Sequence, residues 1–150
     1  MKTNTATAIV LGCLVILTGF SCRALALGTA RIQQSDGNIK VYNDVLIRIK
    51  DQAMAITSSD GKGTIVFGKA ACTRLAALIR CIPYDATLEQ YGKSFHVPLA
   101  DGTVYLNPTR QSQHLSYSST LIPPRGVLLT VRTKRGTYLS LSGVVDEVKK

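Results

Sequence analysis

The two histidines of the 150-residue chain, His96 and His114, are its first candidates for acid–base or metal chemistry, with Asp101 between them in sequence. Two imidazoles and a carboxylate suffice in principle for a zinc site or a proton relay. Their spacing requires neither, because the close pairing that brings two rings to one metal is missing. The acids Asp85 and Glu89 are near neighbours, yet a glycosidase pair depends on a separation in space that sequence does not fix. No serine lies in a Gly-x-Ser-x-Gly elbow. Gly61-Lys62-Gly63-Thr64 has the composition of a phosphate cradle but lacks the upstream glycine and the following helix, so it reads as a turn. No catalytic residue, metal or cofactor is expected, and the chain reads as a non-enzyme.

The four cysteines divide into two pairs. Cys13 and Cys22 fall in an N-terminal segment with the features of an export signal. Lys2 gives positive charge, Ala6 to Phe20 an apolar run of about 15 residues, and Ala24-Leu25-Ala26 a small-x-small cleavage pattern. That run is shorter than the roughly 20 residues a membrane-spanning helix needs. The expected division is therefore a signal peptide over 1–26 and one mature β-rich domain over 27–150, in the periplasm or secreted. Lipid anchoring through Cys22 is the alternative, and the bulky Phe20 suits it poorly. Cys72 and Cys81 then reach an oxidising compartment as an even pair, and a disulfide is expected between them.

That bond constrains the elements around it. Ala70 to Arg80 is rich in helix formers, but a helix from Cys72 to Cys81 would part their Cα atoms by about 13 Å. A disulfide tolerates roughly 4.4–6.8 Å. The pair is therefore expected on adjacent strands, with Thr73 to Ala77 forming the turn and Pro83 marking a strand end or edge.

The rest of the mature chain is strand and turn. Asp36-Gly37, Asp60-Gly61, Asp101-Gly102 and Lys134-Arg135-Gly136 each precede a short β-prone run, and each suits a hairpin turn. Val45, Ile47 and Ile49 alternate with Leu46, Arg48 and Lys50. Val127, Leu129 and Val131 alternate with Leu128, Thr130 and Arg132, and Leu139 and Leu141 with Tyr138, Ser140 and Ser142. Period two with one polar face denotes antiparallel sheet buried on one side. The expected fold is all-β, a small antiparallel sandwich or partly closed barrel. Ser112 to Pro124 is expected as a long connection with a short strand near Leu115 to Tyr117.

The same alternation predicts a polar sheet face carrying Lys40, Tyr42, Arg48, Lys50, Thr103, Tyr105, Asn107, Thr130, Arg132, Tyr138 and Ser140. Cations interleaved with tyrosines suit an anionic or sugar-bearing ligand, although the same residues also suit a merely solvated face. Arg125, Arg132, Lys134 and Arg135 form the densest basic stretch. The formal charge is +9, and removing Lys2 and Arg23 with the signal leaves +7. Anionic polysaccharide, lipid head groups or an envelope protein are the expected partners, and nucleic acid is not. The competing readings are an assembly subunit joined by strand addition and a hydrolase with an unrecognised site.

Overall fold

The structure is a computed structural model that describes residues 27–50, 53–68, 70–116 and 118–145. The signal segment 1–26, Cys22 and the Lys149-Lys150 end lie outside the described residues. Eleven strands form one antiparallel sheet: β1 (Leu27–Gln33), β2 (Ile39–Lys50), β3 (Ala53–Thr57), β4 (Gly63–Phe67), β5 (Ala70–Leu75), β6 (Leu78–Pro83), β7 (Ala86–Gln90), β8 (Lys93–Val97), β9 (Leu99–Leu106), β12 (Gly126–Thr133) and β13 (Tyr138–Val144). Their spatial order is β5-β6-β9-β12-β13-β1-β2-β3-β4-β7-β8. The short strands β10 (Gln113–His114) and β11 (Leu121–Ile122) pair separately. No helix occurs among the described residues, and the large sheet curls into a half-barrel.

The inner face of the curl is the core. Val45 and Ile47 on β2, Met54 and Ile56 on β3, and Phe67 on β4 meet Val104 on β9, Val127, Leu129 and Val131 on β12, and Leu139 and Leu141 on β13. Period-two alternation places these residues on one face, and burial of their apolar surface drives the curl. β2 is irregular. Near its middle, Gly28 pairs with Val45 and Ala30 with Tyr42, so two residues of β2 face one of β1. Asp44 takes a positive φ of 59° in this bulge, a conformation that aspartate tolerates better than most residues. Bulges bend and twist the strand that carries them.

A glycine pair completes the bend. Gly28 on β1 lies opposite Gly143 on β13, and a methyl group on Gly28 would stand 2.7 Å from Ile47 Cδ1. One on Gly143 would run into the Gly28 backbone. The fully buried Ile47 side chain occupies the space these two residues leave.

Four hairpin turns follow local chemistry. Ser35-Asp36-Gly37 and Lys134-Arg135-Gly136 are three-residue loops whose glycines adopt φ of 88° and 84°. At the β3–β4 turn, Asp60 accepts hydrogen bonds from Ser58 Oγ at 2.6 Å and from the Lys62 backbone N–H at 3.0 Å. These bonds, the Ser58 one foremost, hold its carboxyl below the usual carboxylate value. Tyr91-Gly92 joins β7 to β8 with both residues at positive φ.

Asp101-Gly102 departs from expectation. It lies inside β9, where Asp101 pairs with Arg132 and Gly102 with Val131. Its glycine is needed for space rather than for φ, since a methyl there would stand 2.6 Å from Val131 Cγ1. The expected turn at Thr73 to Ala77 is also shorter than that. β5 continues through Leu75, and only Ala76-Ala77 turns. Cys72 and Cys81 face each other in register and form the disulfide. A cross-link closing a loop of that size contributes about 2.5–3 kcal/mol in the chain-entropy account. β6 ends at Pro83, as a residue without an N–H should.

Gly143→Ala is expected to lower stability by about 2–3 kcal/mol through overpacking against Gly28 and Ile47. The denaturant midpoint measures this. A midpoint equal to that of the parent protein would mean the sheet does not need the close approach.

Candidate functional site

Four strands of the outer face carry a registered polar surface. β9, β12, β13 and β1 bring Thr103, Thr130, Ser140 and Arg31 into one row, because each is the direct cross-strand partner of the next. On one side of this row lie Arg80 on β6 and its partner Tyr105 on β9. On the other, Asp101, Arg132, Tyr138 and Gln33 run across the same four strands. Direct partners in an antiparallel sheet stand about 4.5–5.5 Å apart at Cβ, so hydroxyls, guanidinium groups and phenol rings share one surface.

Its electrostatics differ from the bare sequence count. Arg132 donates from Nε and Nη2 to Asp101 Oδ2, at 3.0 and 2.6 Å. Both side chains are more than half exposed, at 56% and 58%, so solvent screens the pair and its worth to stability is small. Its effect on the surface is larger, since it neutralises one of the expected cations. Arg31 and Arg80 are exposed and have no hydrogen-bond or ion-pair partner among the described residues. They are the available positive charges of the face. Neither was singled out from the sequence, where β1 and β6 show weaker alternation than β12 and β13. The cross-strand register is what identifies them.

The expected polar face is thus met in part. Thr103, Tyr105, Thr130, Arg132, Tyr138 and Ser140 do share one surface. Arg48 and Lys50 also point outward, but on the other flank of the curl, where they pair with Ala55 and Ala53 of β3. Lys40 and Tyr42 are on the inner side. They lie opposite Ile32 and Ala30, whose side chains face the core, because the bulge at Asn43-Asp44 shifts the alternation of β2 by one residue. Lys134 and Arg135 are exposed at the β12–β13 turn, and Arg125 sits at a separate turn with a positive φ of 52°. The basic stretch is therefore spread over two ends of β12.

Asn107 is a second correction. It is 1% exposed, a buried polar residue beside the fully buried Ile122. Its Nδ2 donates toward the carbonyls of Gln111, Ile122 and Pro123 at 2.8, 3.2 and 2.9 Å. Its Oδ1 accepts from the backbone N–H and hydroxyl of Thr109 at 3.0 and 2.7 Å. The side chain ties the long 107–125 connection to the sheet, which is why that segment holds its shape without a core of its own. The short strands in it are Gln113–His114 and Leu121–Ile122, on either side of the place expected.

The remaining chemical candidates are dispersed. His96 is exposed on β8 and His114 on β10, in different sheets, and Asp101 is engaged by Arg132. Asp85 lies in the link before β7 and Glu89 on the outer face of that strand beside Thr64. Ser59 and Lys62 have the spacing of a Ser-x-x-Lys pair but occupy the exposed β3–β4 turn, with no helix to set them together. The inner side of the curl offers a different feature, an apolar cavity of about 470 Å³ between the β2–β4 and β5–β9 flanks.

No family model, curated protein or solved structure matches the chain.

Asp101→Asn is expected to change stability by no more than about 0.5 kcal/mol, as befits an exposed pair, while leaving Arg132 uncompensated. Retention on a sulfated-polysaccharide column should rise. Unchanged retention would place the anion contact away from this face.

Proposed function

We propose that this chain is an exported, non-enzymatic β-domain that holds an anionic polysaccharide against the outer face of its sheet. The observation that carries the reading is the row Thr103–Thr130–Ser140–Arg31, flanked by Tyr105 beside Arg80 and by Tyr138 beside Arg132. Hydroxyl and guanidinium donors satisfy sulfate or carboxylate oxygens, and phenol rings offer flat area to sugar rings. The rows cross four adjacent strands, an extent that suits an extended chain better than a small molecule. The formal charge of +7 left once Lys2 and Arg23 are removed with the signal favours approach by a polyanion. Export is the expectation of the N-terminal sequence, and a cross-link between Cys72 and Cys81 is compatible with a location outside the cytoplasm.

A second reading has its own observation. β5 and β8 are the edges of the large sheet, and both are largely exposed. Either edge suits the strand-addition chemistry of an assembly subunit.

Chromatography on heparin at about 150 mM salt, near physiological ionic strength, tests the first reading. The protein should be retained, and the Arg31→Gln/Arg80→Gln double variant should elute at clearly lower salt. Passage of the parent protein through the column, or equal elution of the variant, would overturn it. Export is tested by the intact mass of protein recovered from outside the producing cells' cytoplasm. The expected species begins at Leu27 and gains two hydrogens on reduction. A full-length mass with free thiols would refute it.

A further inference from the structure

The cavity of about 470 Å³ lies between the two flanks of the curl, within the range of single-ligand sites, about 300–1,000 Å³. Met54 and Phe67 line it from one flank, Val104 and Leu106 from the other, and the Cys72–Cys81 disulfide forms part of its wall. Among the described residues, none lining it carries a charged or hydrogen-bonding side chain. Water entering such a space finds few partners, whereas a hydrocarbon loses none. Apart from the free edge of β5, the strands around it pair their own backbone groups in the ladders, so the walls offer little to orient a polar molecule.

A cation stands at its margin. Arg74 is on β5 two residues from Cys72, on the same side of the strand, and directly opposite Ile79 on β6. Both neighbours line the cavity. Arg74 is exposed and has no hydrogen-bond or ion-pair partner among the described residues. The Asp85 carboxylate lies elsewhere on the rim, against Gly68, a lining residue just after β4. A negative head group is thereby favoured on the Arg74 side and disfavoured beside Asp85.

We propose that this cavity binds a free fatty acid, with the hydrocarbon chain between the flanks and the carboxylate at Arg74. The site is separate from the outer polar face, and apolar walls with the Arg74 guanidinium at their margin select an amphiphile of this kind. A polar metabolite would leave its donors unpaired inside, and a neutral hydrocarbon would make no use of Arg74. A phosphate-headed single-chain lipid shares the tail chemistry but brings a bulkier, more highly charged head than the Arg74 guanidinium alone neutralises.

Calorimetric titration of the oxidised protein with saturated fatty acids, each below its micelle concentration, tests the proposal. Affinity should rise about fourfold per added methylene, the equivalent of about 0.8 kcal/mol, and level off once the cavity is full. Arg74→Gln should weaken the acids several-fold and leave the alcohol of equal chain length unchanged. Ala70→Phe, which fills the edge of the cavity, should abolish binding of acid and alcohol alike while heparin retention stays at the parent value. No dependence on chain length would overturn the proposal even if Ala70→Phe failed to fold. So would tighter binding of dodecyltrimethylammonium than of dodecanoate, or a preference for lysophosphatidate over the fatty acid. Failure of heparin binding would leave this result untouched, since the two readings rest on opposite faces of the sheet.

Discussion

The architecture depends on the close approach of β1 and β13 over Ile47. Two glycines facing each other across that pair leave the inner surface without side chains there, and the isoleucine fills the gap. An eleven-stranded antiparallel sheet left nearly flat would expose the apolar row that runs through β2, β3, β12 and β13. Curling lets each flank bury the other's row, as sheets do when bulges and glycines permit the bend. The bulge at Asn43-Asp44 serves the same end from the other side of β1.

From that curl follow two surfaces of opposite character. Inside, apolar side chains pack closely near the bend and less closely where the flanks diverge, and the cavity lies in the second region. Outside, hydroxyls, arginines and tyrosines stand in rows fixed by the ladders. The disulfide joins β5 to β6 at the cavity wall. Because β5 is an edge strand with a neighbour on one side only, the covalent tie holds a wall that hydrogen bonds secure from one direction. The Arg132–Asp101 pair shows the complementary point about charge. A guanidinium counted in a net charge contributes to a surface only where its register neighbour is not a carboxylate.

Much of the fold was legible because its strands obey a strict period. The alternations in β12, β13 and the second half of β2 name the buried residues correctly, and the Asp-Gly and Lys-Arg-Gly signals locate three hairpins. The exclusion of a helix between Cys72 and Cys81 was also legible, since it rests on distance alone. Other features were hidden for stated reasons. Asp101-Gly102 has turn chemistry but serves a strand, because its glycine makes room for Val131. Lys40 and Tyr42 change face through one extra residue, and no pattern of hydrophobicity marks a bulge in advance. Asn107 continues the polar period of β9 and yet is buried, since its partners come from a loop 15 or 16 residues away. Within the candidate site, the tyrosines and Arg132 were readable, and Arg31 and Arg80 were not.

By itself, then, the sequence determined the strand class of the chain, which side of its best strands goes inward, and the pairing of Cys72 with Cys81. Those follow from interactions local in sequence: side-chain period, turn conformation and the reach of a disulfide. Tertiary structure alone decided the strand order, the change of face along β2, the neutralisation of Arg132, and the meeting of apolar walls from distant strands beside Arg74. Each of these depends on which residues stand opposite one another across the ladder, a relation set by the global packing of the inner face.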